Sequence, residues 1–211
     1  MNAESDAHFW DRTSRRYARS NIADRTGYER TLDRTRRLLK PQGRVLELGC
    51  GTGTTALRLA NCVQSYLATD ISPGMIAIAE ERHAAVAIPG LSFRVATTET
   101  LAPDMGFDVV LGFNYLHLVR DLPGTLDRIH GLLAAGGLFV SKTPCIGDMN
   151  PLLGYGVLPV MRALRLAPYA GVFRAAELKE RIAAAGFVIL AMESHAARGE
   201  DRRPYIVARK S

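Results

Sequence analysis

The chain has 211 residues, of which 47% are hydrophobic and 23% are charged, and its formal net charge is +6. This length and composition predict a single globular domain with a sizeable core and exclude a disordered chain. The positive charge lies at the ends, since residues 1–43 carry a net +4, residues 198–211 a net +3 and the middle a net −1. Arginines there alternate with acidic residues and form no basic stripe, which disfavours a nucleic-acid partner.

Cysteine usage and hydropathy bear on the cellular compartment. The three cysteines form no Cys-x-x-Cys pair, so we predict neither a disulfide framework nor a metal site. The sequence has no apolar run of about 20 residues, the length that spans a bilayer. It also starts without the basic and apolar segments of a secretory signal. We therefore expect a cytoplasmic protein with reduced thiols.

The first part of the chain predicts a helical cap. Residues 8–20 and 26–39 are arginine-rich, and apolar residues recur in the second stretch with roughly helical spacing. The sequence Pro41-Gln42-Gly43 then predicts the end of the second helix. We assign residues 1–43 to an N-terminal cap and residues 44–211 to the main domain.

From residue 44 onward, apolar strands alternate with helices. We predict strands at 44–48, 65–69, 91–95, 107–113 and 138–143, and helices at 53–62, 73–86 and 122–133. This alternation is typical of an α/β fold with a doubly wound, mostly parallel, Rossmann-like sheet. A helix at 175–185 and strands at 187–193 and 205–209 would complete seven strands with an antiparallel C-terminal pair.

Glycines follow the first strand at alternate positions. Gly49, Gly51 and Gly53 come directly after Glu47 and Leu48, and Asp70 ends the second strand. Glycines let a backbone turn tightly and let a ligand approach it, and the helix that follows presents free N–H groups. An acid at the tip of the neighbouring strand suits the two hydroxyls of a ribose. The pattern predicts a nucleoside-containing ligand at this loop.

The motif Glu47-x-Gly49-x-Gly51-x-Gly53 resembles the first motif of class I S-adenosylmethionine-dependent methyltransferases. The resemblance is strongest to the small-molecule branch that includes quinone-biosynthesis enzymes, and it extends over about residues 9–195. The segment Phe107–His117 is similar to the family's fourth strand, and Leu132–Leu138 to the turn before its fifth strand. The resemblance implies S-adenosylmethionine as cofactor and methyl transfer to a small molecule.

The same resemblance implies roles for individual residues. Glu47 would face the methionine amino group, the three glycines would line the methionine and ribose, and Asp70 would bind the ribose hydroxyls. Met75 would pack on the adenine. The other implied cofactor contacts are Ile71, Thr97, Thr98, Asn114 and Leu116. Thr97 stands where the family usually has an aspartate for the adenine amino group, although a threonine hydroxyl can also accept a hydrogen bond.

Two residues are candidates for catalysis. His117 follows the fourth strand at the edge where such sheets bind ligands, and histidine titrates near neutrality. An acceptor hydroxyl or protonated amine needs a base, so His117 is either that base or a structural residue. Tyr17 is the second candidate; like Tyr28, it either caps the cofactor pocket or packs on the core.

Residues 144–174 fit no core element, and we predict a helical insertion there. Its many apolar residues, including Met161, are typical of an adaptable pocket and favour an apolar or aromatic acceptor. Two alternatives are a helix pair that seals the sheet and, with Arg162 and Arg165, contact with a membrane surface. The adjacent Asp148 and Asn150 are candidate acceptor contacts.

Other functions stay open at this point. A dinucleotide oxidoreductase is disfavoured because Gly53 is followed by Thr54 and Thr55, not by the third glycine of the dinucleotide fingerprint, and because the sequence has no recognisable Tyr-x-x-x-Lys pair. A protein that binds S-adenosylmethionine or a dinucleotide without catalysis is another alternative, as is a lipid- or quinone-directed methyltransferase at a membrane surface. The sequence leaves the acceptor molecule, the acceptor atom and the oligomeric state undetermined.

Overall fold

A computed structural model describes residues 3–103, 105–149, 156–157, 160–161, 164, 167–199 and 201–211. The described helices include α1 (Ala3–Ala18), α2 (Arg25–Arg36), α3 (Ala56–Leu59), α4 (Pro73–Ala84), α5 (Leu122–Leu132) and α6 (Ala175–Ala184). The strands are β1 (Arg44–Leu48), β2 (Ser65–Asp70), β3 (Leu91–Val95), β4 (Phe107–Phe113), β5 (Leu133–Lys142), β6 (Phe187–Glu193) and β7 (Tyr205–Lys210). Short 3₁₀ turns lie at Ala60–Cys62, Leu116–Leu118 and Ile146–Asp148.

The strands form one seven-stranded sheet in the order β3-β2-β1-β4-β5-β7-β6. The first five strands are parallel, and β7 runs antiparallel to both β5 and β6. This arrangement confirms the predicted doubly wound sheet with an antiparallel C-terminal pair. The strand order reverses between β1 and β4, and ligands of such sheets bind at the carboxyl ends of the strands beside that point.

Adjacent residues of the central strands face two separate cores. In β4, Val110 belongs to one hydrophobic cluster and Leu111 to the other, and both are fully buried. In β1, Leu46 belongs to the same cluster as Val110, and Val45 belongs to the same cluster as Leu111. Side chains alternate between the two faces of a strand, so a central strand covered on both faces is apolar throughout.

Several element boundaries differ from the prediction. The first helix begins at Ala3 rather than at residue 8, and α2 ends at Arg36 rather than at residue 39. The helix predicted at 53–62 is an α-helix only over Ala56–Leu59. Gly53 has a φ of +77° that a right-handed helix excludes, and Ala60–Cys62 form a 3₁₀ turn. The fifth strand begins at Leu133 rather than at residue 138, since Leu133 already pairs with Phe107.

The structure describes only part of the predicted insertion at 144–174. Within it, Phe173 is buried in the core cluster that also contains Leu178 of α6. Asn150, Arg162 and Arg165 lie outside the described residues. None of the helices in the described part of the chain has the length and apolar content to cross a bilayer.

Candidate active site

The loop after β1 adopts a backbone conformation that its glycines permit. Gly49, Gly51 and Gly53 have φ values of +66°, +54° and +77°, which side chains other than that of glycine rarely adopt. A Cβ on Gly49 would lie 2.9 Å from the ring of Tyr115, whereas the nearest neighbour of one on Gly51 is the Tyr17 ring, at 3.6 Å. Gly49 therefore allows close packing, and Gly51 borders a space below α1.

Asp70 fixes this loop from the tip of β2. One carboxylate oxygen accepts the backbone N–H of Gly51 at 2.9 Å, and the other accepts that of Ser72 at 2.9 Å. The side chain is buried, and burial raises the pKa of Asp70. A carboxylate can accept about four hydrogen bonds, so Asp70 retains capacity for ribose hydroxyls.

Glu47 lies beneath the loop, and only 3% of its surface is exposed. The Tyr66 hydroxyl donates to it at 2.8 Å. Burial raises the pKa of Glu47 to about 8, and the nearby charge of Asp70 acts in the same direction. Two buried acids in one site favour a positively charged ligand, because a cation stabilises both as carboxylates. The pair therefore fits S-adenosylmethionine, which carries a sulfonium and an ammonium.

We expect Glu47 to contribute a decrease in the free energy of unfolding as the pH rises from about 5 to about 8. Glu47 has an ordinary pKa of 4.5 when unfolded and one of about 8 when folded, so the folded protein binds more protons in this window. One such group changes stability by at most about 1.4 kcal/mol per pH unit. Urea denaturation of the wild type and Glu47→Gln at several pH values measures this, and an unaltered slope in the variant would contradict the assignment.

The expected adenine side lies near β3 and α4. Met75 is 2% exposed, so its side chain packs deep in the fold. Thr98 is buried and donates its hydroxyl to Glu99 at 3.0 Å. Partial burial acts to raise the pKa of Glu99, but hydrogen bonds from Thr97 and Thr98 outweigh it and hold the pKa below its ordinary value. An anion therefore stands two residues after Thr97, which the sequence reasoning missed.

The segment after β4 brings three further predicted residues to the same edge. Asn114 has a φ of +52°, and its N–H donates to the carbonyl of Lys142 at 2.7 Å. Leu116 is fully buried in the core, and its N–H donates to the Thr143 hydroxyl at 3.3 Å. The Nδ1 atom of His117 is buried, with no hydrogen-bond partner among the described residues, and burial lowers the pKa of His117 to about 4. The imidazole is therefore neutral at pH 7.

Helix α1, at the N-terminus of the chain, lies over this site. Asp11 accepts hydrogen bonds from the Ser72 hydroxyl and, at 2.9 Å, from the N–H of Gly74, at the start of α4. Tyr17 lies over Gly51, with 47% of its surface exposed, and both partial burial and the charge of Asp70 raise its pKa. The predicted cap thus borders the glycine loop through Tyr17, whose part in binding or catalysis stays a prediction.

Two arginines that the sequence reasoning did not select hold α1 in place. Arg82 of α4 donates to the Thr52 hydroxyl at 2.8 Å and to the carbonyl of Ala18 at 3.0 Å. Arg120 pairs with Asp6 at 2.6 Å and stacks on Tyr169. These contacts tie the glycine loop and the segment after β4 to the same helix.

Two predicted candidates have other partners. Tyr28 bonds to the Thr55 hydroxyl at 3.1 Å, beneath the start of α3. Asp148 accepts the N–H of Ala175 at 2.7 Å and so caps α6. Ile71 lies next to Asp70 and is partly buried.

A strand-order reversal, a glycine loop and a buried acid pair together define an α/β enzyme with a nucleoside-containing cofactor. Residues 46–139 match a family model described as a methyltransferase domain. A ubiquinone biosynthesis O-methyltransferase of Chelativorans sp. is 30% identical over 181 residues, which are 82% of this chain and 68% of that protein. The chain therefore belongs to the S-adenosylmethionine-dependent methyltransferases, and S-adenosylmethionine is the cofactor of that family.

Other similar proteins differ widely in length. A solved S-adenosylmethionine-dependent methyltransferase of Thermotoga maritima superimposes with a TM-score of 0.70 at 24% identity, covering 97% of this chain and 99% of that one. A highly reducing polyketide synthase of Alternaria alternata is 33% identical over 131 residues, which are 56% of this chain but 5% of the synthase. The chain thus spans a small part of that synthase, while the Thermotoga protein shares the fold along its whole length.

Proposed function

We propose that this protein transfers the methyl group of S-adenosylmethionine to a small apolar or aromatic molecule. The observation that carries the proposal is the buried pair Glu47 and Asp70 beside a glycine loop that Asp70 holds through Gly51. Family membership supplies the class of reaction. The relative named for ubiquinone biosynthesis supports an aromatic acceptor, and the apolar composition of residues 144–174 is consistent with one.

The residues of the chain would mainly bind and align the reactants. S-adenosylmethionine supplies a methyl group on a positively charged sulfur, which an acceptor displaces in line. Glu47 would bind the amino group and Asp70 the ribose, while Tyr17 lies over Gly51 from α1. Met75 and Glu99 would hold the adenine, the second through its carboxylate. The acceptor would enter beside His117.

His117 is expected to act in its neutral form if it takes the acceptor's proton. Burial lowers its pKa to about 4, so protonation would limit turnover only well below pH 6. We expect no step in the pH–rate profile near 6.5 and a loss of roughly 10²–10⁴-fold in turnover for His117→Ala. Steady-state rates of the wild type and the variant from pH 5 to 8 check this. A loss smaller than tenfold would instead indicate the structural role.

Binding and turnover test the proposed function separately. Calorimetric titration with S-adenosylmethionine and S-adenosylhomocysteine should show saturable binding, and no binding at millimolar ligand would refute the proposal. A metabolite extract incubated with protein and methyl-labelled cofactor should then yield a labelled product by mass spectrometry. Cofactor binding without any labelled species would favour a non-catalytic binding protein.

A methyltransferase that acts on a lipid or quinone at a membrane surface is a second candidate. Four apolar residues described within the predicted insertion are exposed, with exposed fractions of 37% to 63%: Val157, Val160, Met161 and Leu164. Exposed apolar residues near arginines are typical of surface-bound segments. Co-sedimentation with phosphatidylglycerol vesicles, compared with a variant carrying serine at these four positions, tests this candidate. Equal sedimentation of both proteins would exclude it.

A further inference from the structure

The loop between β6 and β7, described at 194–199 and 201–204, lies at the same edge of the sheet as the glycine loop. Tyr205, which follows the loop, pairs with Lys142 at the carboxyl end of β5. The carbonyl of Arg202 accepts the N–H of Cys145 at 2.9 Å, just beyond that end. Arg203 is therefore anchored beside the carboxyl end of β5, at the edge of the sheet where the acceptor would bind.

The backbone of this loop is held by Asp201. One oxygen of Asp201 accepts the N–H of Arg203 at 3.0 Å, and the other accepts that of His195 at 3.0 Å. The carboxylate also lies 3.5 Å from the ammonium of Lys142. Because both of its oxygens are engaged, Asp201 keeps the position of Arg203 fixed without neutralising its guanidinium.

Arg203 differs from Arg34 and Arg120, each of which has a carboxylate partner. Arg34 pairs with Glu193, and Arg120 pairs with Asp6. Within the described part of the chain, no carboxylate forms an ion pair with the guanidinium of Arg203, which is exposed.

The charge of Arg203 nevertheless reaches the site. It acts to lower the pKa of Tyr17, of Lys142 and of His117. These directions agree with the backbone contacts, which anchor the loop that carries Arg203 at the carboxyl end of β5, and Arg203 is exposed there.

The charges of the site divide into two halves. Glu47 and Asp70 lie on the cofactor side and match the positive charges of S-adenosylmethionine, whereas Arg203, which pairs with no carboxylate among the described residues, lies on the acceptor side. We propose that Arg203 binds a carboxylate carried by the methyl acceptor, and that the acceptor is therefore an apolar or aromatic acid. This inference rests on the proposed function and names the substrate class of the same site.

The carboxylate serves for recognition, and the methyl group goes to another atom of the acceptor. A guanidinium binds a carboxylate through two parallel hydrogen bonds, which fixes orientation as well as position. Such a bond beside His117 would orient the rest of the acceptor toward the glycine loop. The acceptor's negative charge would also be attracted to the sulfonium across the site.

Matched pairs of aromatic acids and amides test the proposal. Protein saturated with S-adenosylhomocysteine is titrated with salicylate, salicylamide, indole-3-acetate and indole-3-acetamide by calorimetry. The wild type should bind at least one acid about 10- to 100-fold more tightly than its amide, the range for a charged hydrogen-bonded pair. Arg203→Gln should lose this preference, and Arg203→Lys should retain part of it.

Arg209→Gln is the matched control, because it removes the same charge from β7 at the opposite edge of the sheet, where Arg209 pairs with Leu138. It should keep the wild-type preference, and all variants should bind S-adenosylhomocysteine within about twofold of the wild type. Normal cofactor binding without a preference for acids, or a preference that survives in Arg203→Gln, would overturn the inference alone. Failure of the wild type to bind S-adenosylhomocysteine would overturn the proposed function and the inference with it.

Discussion

Replacing Gly51 with valine is expected to abolish binding of S-adenosylmethionine while the protein still folds. Gly51 has a φ of +54°, which is a strained conformation for a β-branched residue. Its Cβ would lie 3.6 Å from the ring of Tyr17, in the space between the loop and α1. The two methyl groups of valine would fill that space, and the strain would disturb the N–H that Asp70 accepts. Calorimetry at millimolar ligand and thermal melting measure the two effects.

Gly199→Val separates backbone strain from obstruction of the site. Gly199 also has a positive φ, +69°, but a Cβ there would meet no described residue within 4 Å. Each strained residue costs about 1–3 kcal/mol, so both variants should lose comparable stability. Only Gly51→Val should lose the ligand. Retained binding in Gly51→Val would mean that the glycine loop is not the cofactor site.

The parts of the fold that depend on local pattern could be predicted from the sequence. The apolar run of β4 predicts a central strand, and the structure buries Val110 and Leu111 on opposite faces. Ser72 followed by Pro73 predicts a helix start, and the Ser72 hydroxyl accepts the N–H of Met75 at 3.1 Å. In both cases neighbours in the chain determine the structure.

Contacts between distant segments could not be predicted in the same way. Asp11 and Gly74 are 63 residues apart, and Arg82 and Ala18 are 64 residues apart, yet both pairs attach α1 to the site. Neither pair belongs to a periodic or spaced motif, since the contact arises only when α1 packs on α4. An acidic residue near the start of the chain was the only available signal for Asp11.

Two charged residues near the site, Glu99 and Arg203, were missed for a related reason. Glu99 follows β3 by four residues, and a motif that expects aspartate at the position of Thr97 passes over it. Arg203 lies in a loop between two antiparallel strands. The predicted strand pair shows where this loop begins and ends, but not which part of the site the loop lies beside. The positions of both residues relative to the site became evident only from the way the loops pack at the carboxyl edge of the sheet.

Replacing Asp70 with alanine is expected to weaken cofactor binding by about 1–3 kcal/mol, or roughly 5- to 150-fold, the effect of leaving buried polar groups unpaired. The carboxylate has two tasks in the structure. It accepts the N–H of Gly51 at 2.9 Å and that of Ser72 at 2.9 Å, and it is the expected partner of the ribose hydroxyls. Alanine would leave both N–H groups without their acceptor and remove the ribose contact. Calorimetry with S-adenosylhomocysteine measures the loss.

Two comparisons distinguish these tasks from a general effect on folding. Asp70→Asn keeps one carbonyl acceptor and should show a smaller loss than Asp70→Ala, because only part of the hydrogen bonding is removed. Asp108→Ala is the matched control, since Asp108 also accepts a backbone N–H, that of Arg44 at 2.8 Å, but at the opposite edge of the sheet. It should lower stability without changing affinity. Equal affinity in Asp70→Ala and the wild type would refute the assigned role of Asp70.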